Sequence, residues 1–189
     1  MKLKHGRLAM RPEEAKLLAE ICSYPGDHLE IGVLWGATSI IAALNKPKPG
    51  ALYAIDIMSG GFWVDGDPGV EGHPCPTIEA IIENFTENGV NDRITLIRGN
   101  SHPLPIPESV KIATALIDGG HGSVALTHDW DNLSGRVEKY IAIHDYKTGK
   151  HPGVESVVEE IAMKDTRWKV YKQAACLIVL ERVCRYVAF

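Results

Sequence analysis

A chain of 189 residues that is 45% apolar and 23% charged, with a net charge of −4, has the size and make-up of one soluble globular domain. No basic stripe marks it for duplex nucleic acid, and no run nears the ~20 apolar residues that cross a bilayer, so neither nucleic acid nor a membrane is an expected partner. The four cysteines form no Cys-x-x-Cys pair and residues 1–10 lack a signal-peptide apolar run, which points to reduced thiols in a cytoplasmic protein.

Predicted strands and helices alternate along the chain, the pattern of a doubly wound α/β domain with a mostly parallel sheet. Residues 1–25 form an N-terminal helical segment, whose helix opens at Arg11 with Pro12 and two glutamates in its first turn. A strand at 28–32, a helix at 37–44 and a strand at 51–56 follow. The Gly-rich stretch 58–76 is too long for a turn and is expected to be a lid loop, with Trp63 a useful lid aromatic. A helix then runs from about Thr77 to an Asn88-Gly89 C-cap. Strands are predicted at 93–98, 111–117 and 139–144, and helices at 123–133 and 154–164. The strands at 168–173 and 176–183 are joined so closely, through Ala174 and Ala175, that they form an antiparallel hairpin.

Chemistry-bearing residues gather at the strand ends. The segment LEIGVLWGATS (29–39) brings an apolar strand through Glu30 into a turn with Gly32 and Gly36, where an absent Cβ lets backbone approach a ligand. It is not the Gly-x-Gly-x-x-Gly of a pyrophosphate-binding dinucleotide site. Asp56, about twenty residues on, ends the second strand at the position where a carboxylate can accept ribose hydroxyls. Either feature alone is also an ordinary turn. Asn100 and Ser101 end the third strand, where Asn100 has a donor and an acceptor for an adenine edge or simply forms a Gly-Asn turn.

The fourth strand ends IDGGH (117–121) and the fifth IHDY (143–146). Neighbouring parallel strands would converge Asp118, His144 and Asp145, a set suited to Mg²⁺ or Mn²⁺ but also readable as surface groups flanking strands. His121 is either a general base or a residue that orients the helix beginning at Ser123. His5, His128 and His151 read as solvated, and His102 as bordering the cofactor region.

In this order, these segments resemble the class I S-adenosylmethionine (SAM)-dependent methyltransferases. The resemblance is strongest to methyltransferase family 24, beside the macrocin- and catechol-type O-methyltransferases. It runs from about Glu14 to the C-terminus and is carried by EIGVLWGATS (30–39), YAID (53–56), IDGGH and IHDY. It implies a Rossmann-like methyltransferase fold with a seven-stranded sheet and a small-molecule acceptor, with O-methylation the family-based expectation. It implies that Glu30, Gly32 and Gly36 line the methionine and ribose of SAM, with Ser39 behind them. Asp56 would bind the ribose, and Asn100 and Ser101 would lie near the adenine. Asp118, His144 and Asp145 fall at the positions of a divalent metal site, and His121 at that of a catalytic base. Relatives commonly have an acid where this chain has Gly120, and a carboxylate where it has His144; both changes lower the negative charge available to a metal. Two other readings compete: a nicotinamide-dependent oxidoreductase, which the glycine spacing disfavours, and a non-catalytic cofactor-binding module, which Gly120 and His144 keep open. The apolar tail 186–189 suggests a homodimer contact.

Overall fold

The computed structural model describes residues 1–58 and 76–183. The lid loop, Trp63, Cys75, Cys184 and the apolar tail therefore lie outside the described residues, save the loop's edges at Met58 and Pro76. Seven strands form one sheet in the order β3-β2-β1-β4-β5-β7-β6. They are β1 (Asp27–Ile31), β2 (Leu52–Asp56), β3 (Ile94–Arg98), β4 (Ile112–Ile117), β5 (Val137–Ile143), β6 (Trp168–Ala174) and β7 (Leu177–Arg182). Strands β1 to β5 pair in parallel, and β7 runs antiparallel to both β5 and β6. The hairpin is as the sequence predicts, shifted by one residue: its turn is Ala175-Cys176, with Ala175 at φ 44°.

The two central strands are the most apolar. Every residue of β4 is buried, as is all of β1 beyond Asp27. The alternation of β1 sends Leu29 and Ile31 to the face covered by α4 (Ser123–Ser134) and α5 (Pro152–Val157). It sends His28 and Glu30 to the opposite face, under α1 (Pro12–Cys22) and α2 (Ala37–Asn45), where α3 (Ile78–Glu87) also packs through Ile81 and Phe85. The predicted long last helix is instead a short α5 that widens into a π turn at Val158–Ala162. Among the described cysteines, Cys22 and Cys176 are free thiols. No helix of the described residues is long and apolar enough to cross a membrane.

The chain leaves β1 for β2 and β3 on one side and returns to place β4 on the other. Open α/β sheets bind ligands where the strand order reverses in this way, outside the carboxyl ends of the strands. Every candidate strand-end residue is delivered to that rim.

Candidate active site

A cleft of about 740 Å³ opens at the β1/β4 switch point, within the size range of small-molecule sites. Its floor is the turn from Ile31 to Trp35. Gly32 has φ 88°, and a Cβ there would lie 2.0 Å from the carbonyl oxygen of Asp118. The Gly36 position faces Phe85 in the same way, at 2.4 Å. Both glycines are thus required first by the protein's own packing, and only Gly32 of the two lines the cleft.

Asp56 fixes this floor. Its Oδ2 accepts from the backbone N–H of Val33 (2.7 Å) and Leu34 (3.2 Å), and its Oδ1 from that of Met58 (2.8 Å). A carboxylate has about four lone-pair sites, so roughly one stays open to the cleft. Leu34 is held at φ 48°, a left-handed conformation that costs a non-glycine residue of order 1 kcal/mol. Leu34 and Ile57 also line the cleft and present apolar surface, each 40% exposed.

Glu30 and Ser39 stand behind the floor rather than on the cleft wall. Glu30 is fully buried and accepts from the hydroxyls of Thr38 and Ser39, the latter at 2.6 Å. Burial raises its pKa to about 8, against the pull of the two hydroxyls. On the β3 side, Asn100 and Ser101 both line the cleft. Asn100 Oδ1 accepts from the His102 N–H at 3.0 Å, and Ser101 Oγ donates to Asp129 Oδ1 at 2.5 Å. Asp129, on α4, is 2% exposed, and burial lifts its carboxyl to about 6. Sequence reasoning missed Asp129. His102 borders the cleft as expected, but His128 is not simply solvated: it stacks on His102 at 4.5 Å between ring centroids.

At the other end, β4 and β5 bring Asp118, His121, His144 and Asp145 together. His144 Nδ1 lies 3.1 Å from Asp118 Oδ1 and 3.6 Å from Asp145 Oδ2, and its Nε2 is 3.4 Å from Glu14 Oε2. Burial alone would lower the pKa of His144; Asp118 and Asp145 more than reverse this and raise it to about 11. His121 Nε2 sits 2.9 Å from Asp145 Oδ2. Burial opposes protonation of His121 too, and Asp145 again prevails, so its pKa is raised. Asp145 itself is held below the usual carboxylate range: hydrogen bonds from the two imidazoles outweigh its burial. His151 is not solvated either, since its ring lies 4.1 Å from that of His121 and its Nε2 is 4.0 Å from Asp145 Oδ2. Among the described residues, two sets have donor atoms within 4.8 Å of one another, Asp118-His144-Asp145 and His121-Asp145-His151.

Residues 1–11 run across the opposite wall. Asn84 of α3, fully buried, accepts from the N–H groups of Lys4 and His5 and donates to the carbonyls of His5 and Trp35. This clamp sets Arg7, Leu8 and Ala9 against the cleft. His5 pairs with Glu83 at 2.7 Å instead of standing free in solvent.

No protein-family model and no curated protein matches the sequence. Solved structures do match the fold. It is similar to the O-methyltransferase NovP, with a TM-score of 0.75 and 17% identity over 91% of this chain and 80% of that one. It is similar to the O-methyltransferase TomG from Streptomyces achromogenes, solved in complex with SAM, with a TM-score of 0.64 and 18% identity over 93% of this chain and 82% of that one. A third is CalS11, a TDP-rhamnose 3′-O-methyltransferase, with a TM-score of 0.61 and 17% identity over 88% and 76%. The chain has the fold of these O-methyltransferases.

Proposed function

We propose that the protein is a SAM-dependent methyltransferase that acts on a hydroxyl of a small molecule. The observation that carries this reading is one cleft, at the switch point of a methyltransferase fold, with a nucleoside-type rim at one end and an Asp-His pair at the other. The rim fits an adenosyl group. Asp56 keeps an acceptor site toward the cleft, Leu34 and Ile57 give apolar faces for a flat ring, and Asn100 and Asp129 provide polar groups for the ring edge. TomG, with the same fold, was solved with SAM.

The cofactor, when bound, supplies an electrophilic methyl group on a sulfonium. The protein's main task is alignment, which can contribute several kcal/mol to lowering the barrier. Val124, Ala125 and Leu8 line the cleft with apolar surface that excludes water. His121 is the base in this reading. It borders the cleft with Nε2 2.9 Å from Asp145 Oδ2, and that carboxylate stabilises the imidazolium formed when the ring takes the acceptor's proton. Asp118 borders the same space and helps to orient the hydroxyl.

A divalent ion, if the protein uses one, would be held by Asp118, His144 and Asp145, with Glu14 fixing the far nitrogen of the imidazole as outer carboxylates commonly do. Its chemistry there would be to acidify the acceptor hydroxyl. One imidazole among the donors suits Mn²⁺ or Zn²⁺ better than Mg²⁺.

Calorimetry with SAM, with NADH as the control, tests the cofactor. Methyl transfer to a panel of phenols and sugars then compares the wild type with His121→Gln. The expected result is SAM binding in both proteins and a 10²–10⁴-fold slower transfer in the variant. NADH binding in place of SAM, or SAM binding with no transfer to any acceptor, would overturn the reading, and an unchanged rate would remove His121 from it.

A further inference from the structure

A second cavity of about 440 Å³ lies behind the acidic end of the cleft, lined by the start of α1, the 144–151 loop and the β6–β7 turn. Ala9, His144 and Asp145 line both spaces, so the two share a wall where β5 ends. Their charge differs. The first carries Asp56, Asp118, Asp129 and Asp145 against Arg7. The second carries Arg11, Lys147 and Lys150 against Glu14 and Asp145.

Those two carboxylates are already engaged. Glu14 accepts from the N–H groups of Arg11 (2.7 Å) and Cys176 (2.8 Å) and faces His144, and Asp145 faces His121 and His144. The three cations are less fully matched. Lys147 pairs with Glu159 at 3.9 Å and lies 4.9 Å from the centre of the Tyr146 ring, while Arg11 and Lys150 form no ion pair among the described residues. The loop that carries both lysines is held in one shape. Asp145 and Lys147 stand at φ 60° and 58°, and between them Tyr146 is 2% exposed, its N–H bonded to the Cys176 carbonyl at 3.0 Å and its hydroxyl to Glu159 at 3.0 Å. Two left-handed non-glycine residues flanking a single buried one persist only where the surroundings fix them. Here the fixing turns Asp145 toward the cleft and leaves Lys147 on the second cavity.

We propose that this second cavity receives a phosphoryl or pyrophosphoryl group of the methyl acceptor. The inference rests on the methyltransferase reading and names the substrate class for it. Three cations from two elements exceed what one carboxylate needs and suit a group with two or more charges. The shared wall then sets the geometry: the charged group lies against Arg11, Lys147 and Lys150 while the acceptor's hydroxyl lies in the first cleft, beside His121 and Asp118.

The test is a titration of the full chain with inorganic pyrophosphate at low salt, with acetate as the singly charged comparison and S-adenosylhomocysteine titrated on the same samples. The expected result is pyrophosphate binding that acetate does not match, at least tenfold weaker in the Lys147→Gln/Lys150→Gln variant and weakened again in Arg11→Gln. S-adenosylhomocysteine affinity should stay within twofold in both variants, since neither touches the first cleft. Pyrophosphate that fails to bind the wild type, binds the variants equally well, or competes with S-adenosylhomocysteine would overturn the second site while leaving the cofactor reading intact. Absence of S-adenosylhomocysteine binding in the wild type would overturn the methyltransferase reading, and with it the acceptor assignment.

Discussion

The carboxylate of Glu14, in the first turn of α1, meets the imidazole of His144 at the end of β5, 3.4 Å apart and 130 residues away in sequence. The same carboxylate takes the Cys176 N–H at the tip of the β6–β7 hairpin. One buried side chain thereby ties the first helix, the fifth strand and the final hairpin together beneath the acidic end of the cleft.

Removing Glu14 leaves the half-buried Cys176 N–H and a buried imidazole nitrogen without this acceptor, the costly direction of such a change. Glu14→Ala is expected to lower the unfolding free energy by about 3 kcal/mol in urea titrations. In a double-mutant cycle, Glu14→Ala and His144→Asn should couple by more than about 0.5 kcal/mol, as groups in one network do. Strictly additive losses would show that Glu14 acts only as a helix cap.

How much of this was legible beforehand follows from what a sequence encodes. Continuous apolar runs that break abruptly into ionisable residues place Asp56, Asp118, His144 and Asp145 on one rim, because parallel strands deliver their carboxyl ends together. Glu14 was invisible as a site residue, since its local context, Pro12 and two acids opening a helix, is fully explained by helix electrostatics. Asp129 and His151 escaped for the same reason: each sits in a polar local segment, and only tertiary packing turns it inward. Glu30 shows the reverse error of emphasis. Its place in a recognisable motif suggested a cleft residue, but the alternation of β1 turns it toward α2, behind the floor.

That burial has a measurable consequence. The Glu30 pKa rises from its ordinary 4.5 to about 8 because burial disfavours the carboxylate. Between these values the folded protein keeps a proton that the unfolded chain has released, so stability falls as pH rises through the window and levels off above about 8. The contribution is at most about 5 kcal/mol. Glu30→Gln cannot titrate, so the difference in unfolding free energy between wild type and variant should shift in the variant's favour from pH 5 to pH 8 and stay flat beyond. A difference independent of pH would mean that Glu30 is ionised throughout, held by Thr38 and Ser39.

Two amide side chains of the α3 region hold the N-terminal segment beside the cleft, Asn88 at Lys2 and the fully buried Asn84 at Lys4 and His5. Asn84 makes four hydrogen bonds to the backbone of Lys4, His5 and Trp35, and alanine satisfies none of them. Asn84→Ala should cost about 1–3 kcal/mol in stability. More diagnostically, amide hydrogen exchange at Lys4 and His5 should accelerate at least tenfold relative to β4, because a local opening is released rather than the whole fold. Equal acceleration at both places would show that the clamp supports the core and not the N-terminal segment.

If a divalent ion occupies the proposed site, its metal preference separates that site from an all-carboxylate one. Mg²⁺ takes oxygen ligands and gives up its waters reluctantly, whereas Mn²⁺ and Zn²⁺ accept imidazole. With His144 between Asp118 and Asp145, and Glu14 on the imidazole's other nitrogen, Mn²⁺ and Zn²⁺ are expected to bind at least tenfold more tightly than Mg²⁺ in calorimetric titrations of chelator-treated protein. His144→Asp restores an all-oxygen set, so it should narrow that gap by weakening Zn²⁺ more than Mg²⁺. Asp118→Asn should weaken every ion. Tighter Mg²⁺ than Zn²⁺ binding in the wild type would mean that His144 stays a partner of the carboxylates and does not serve as a ligand.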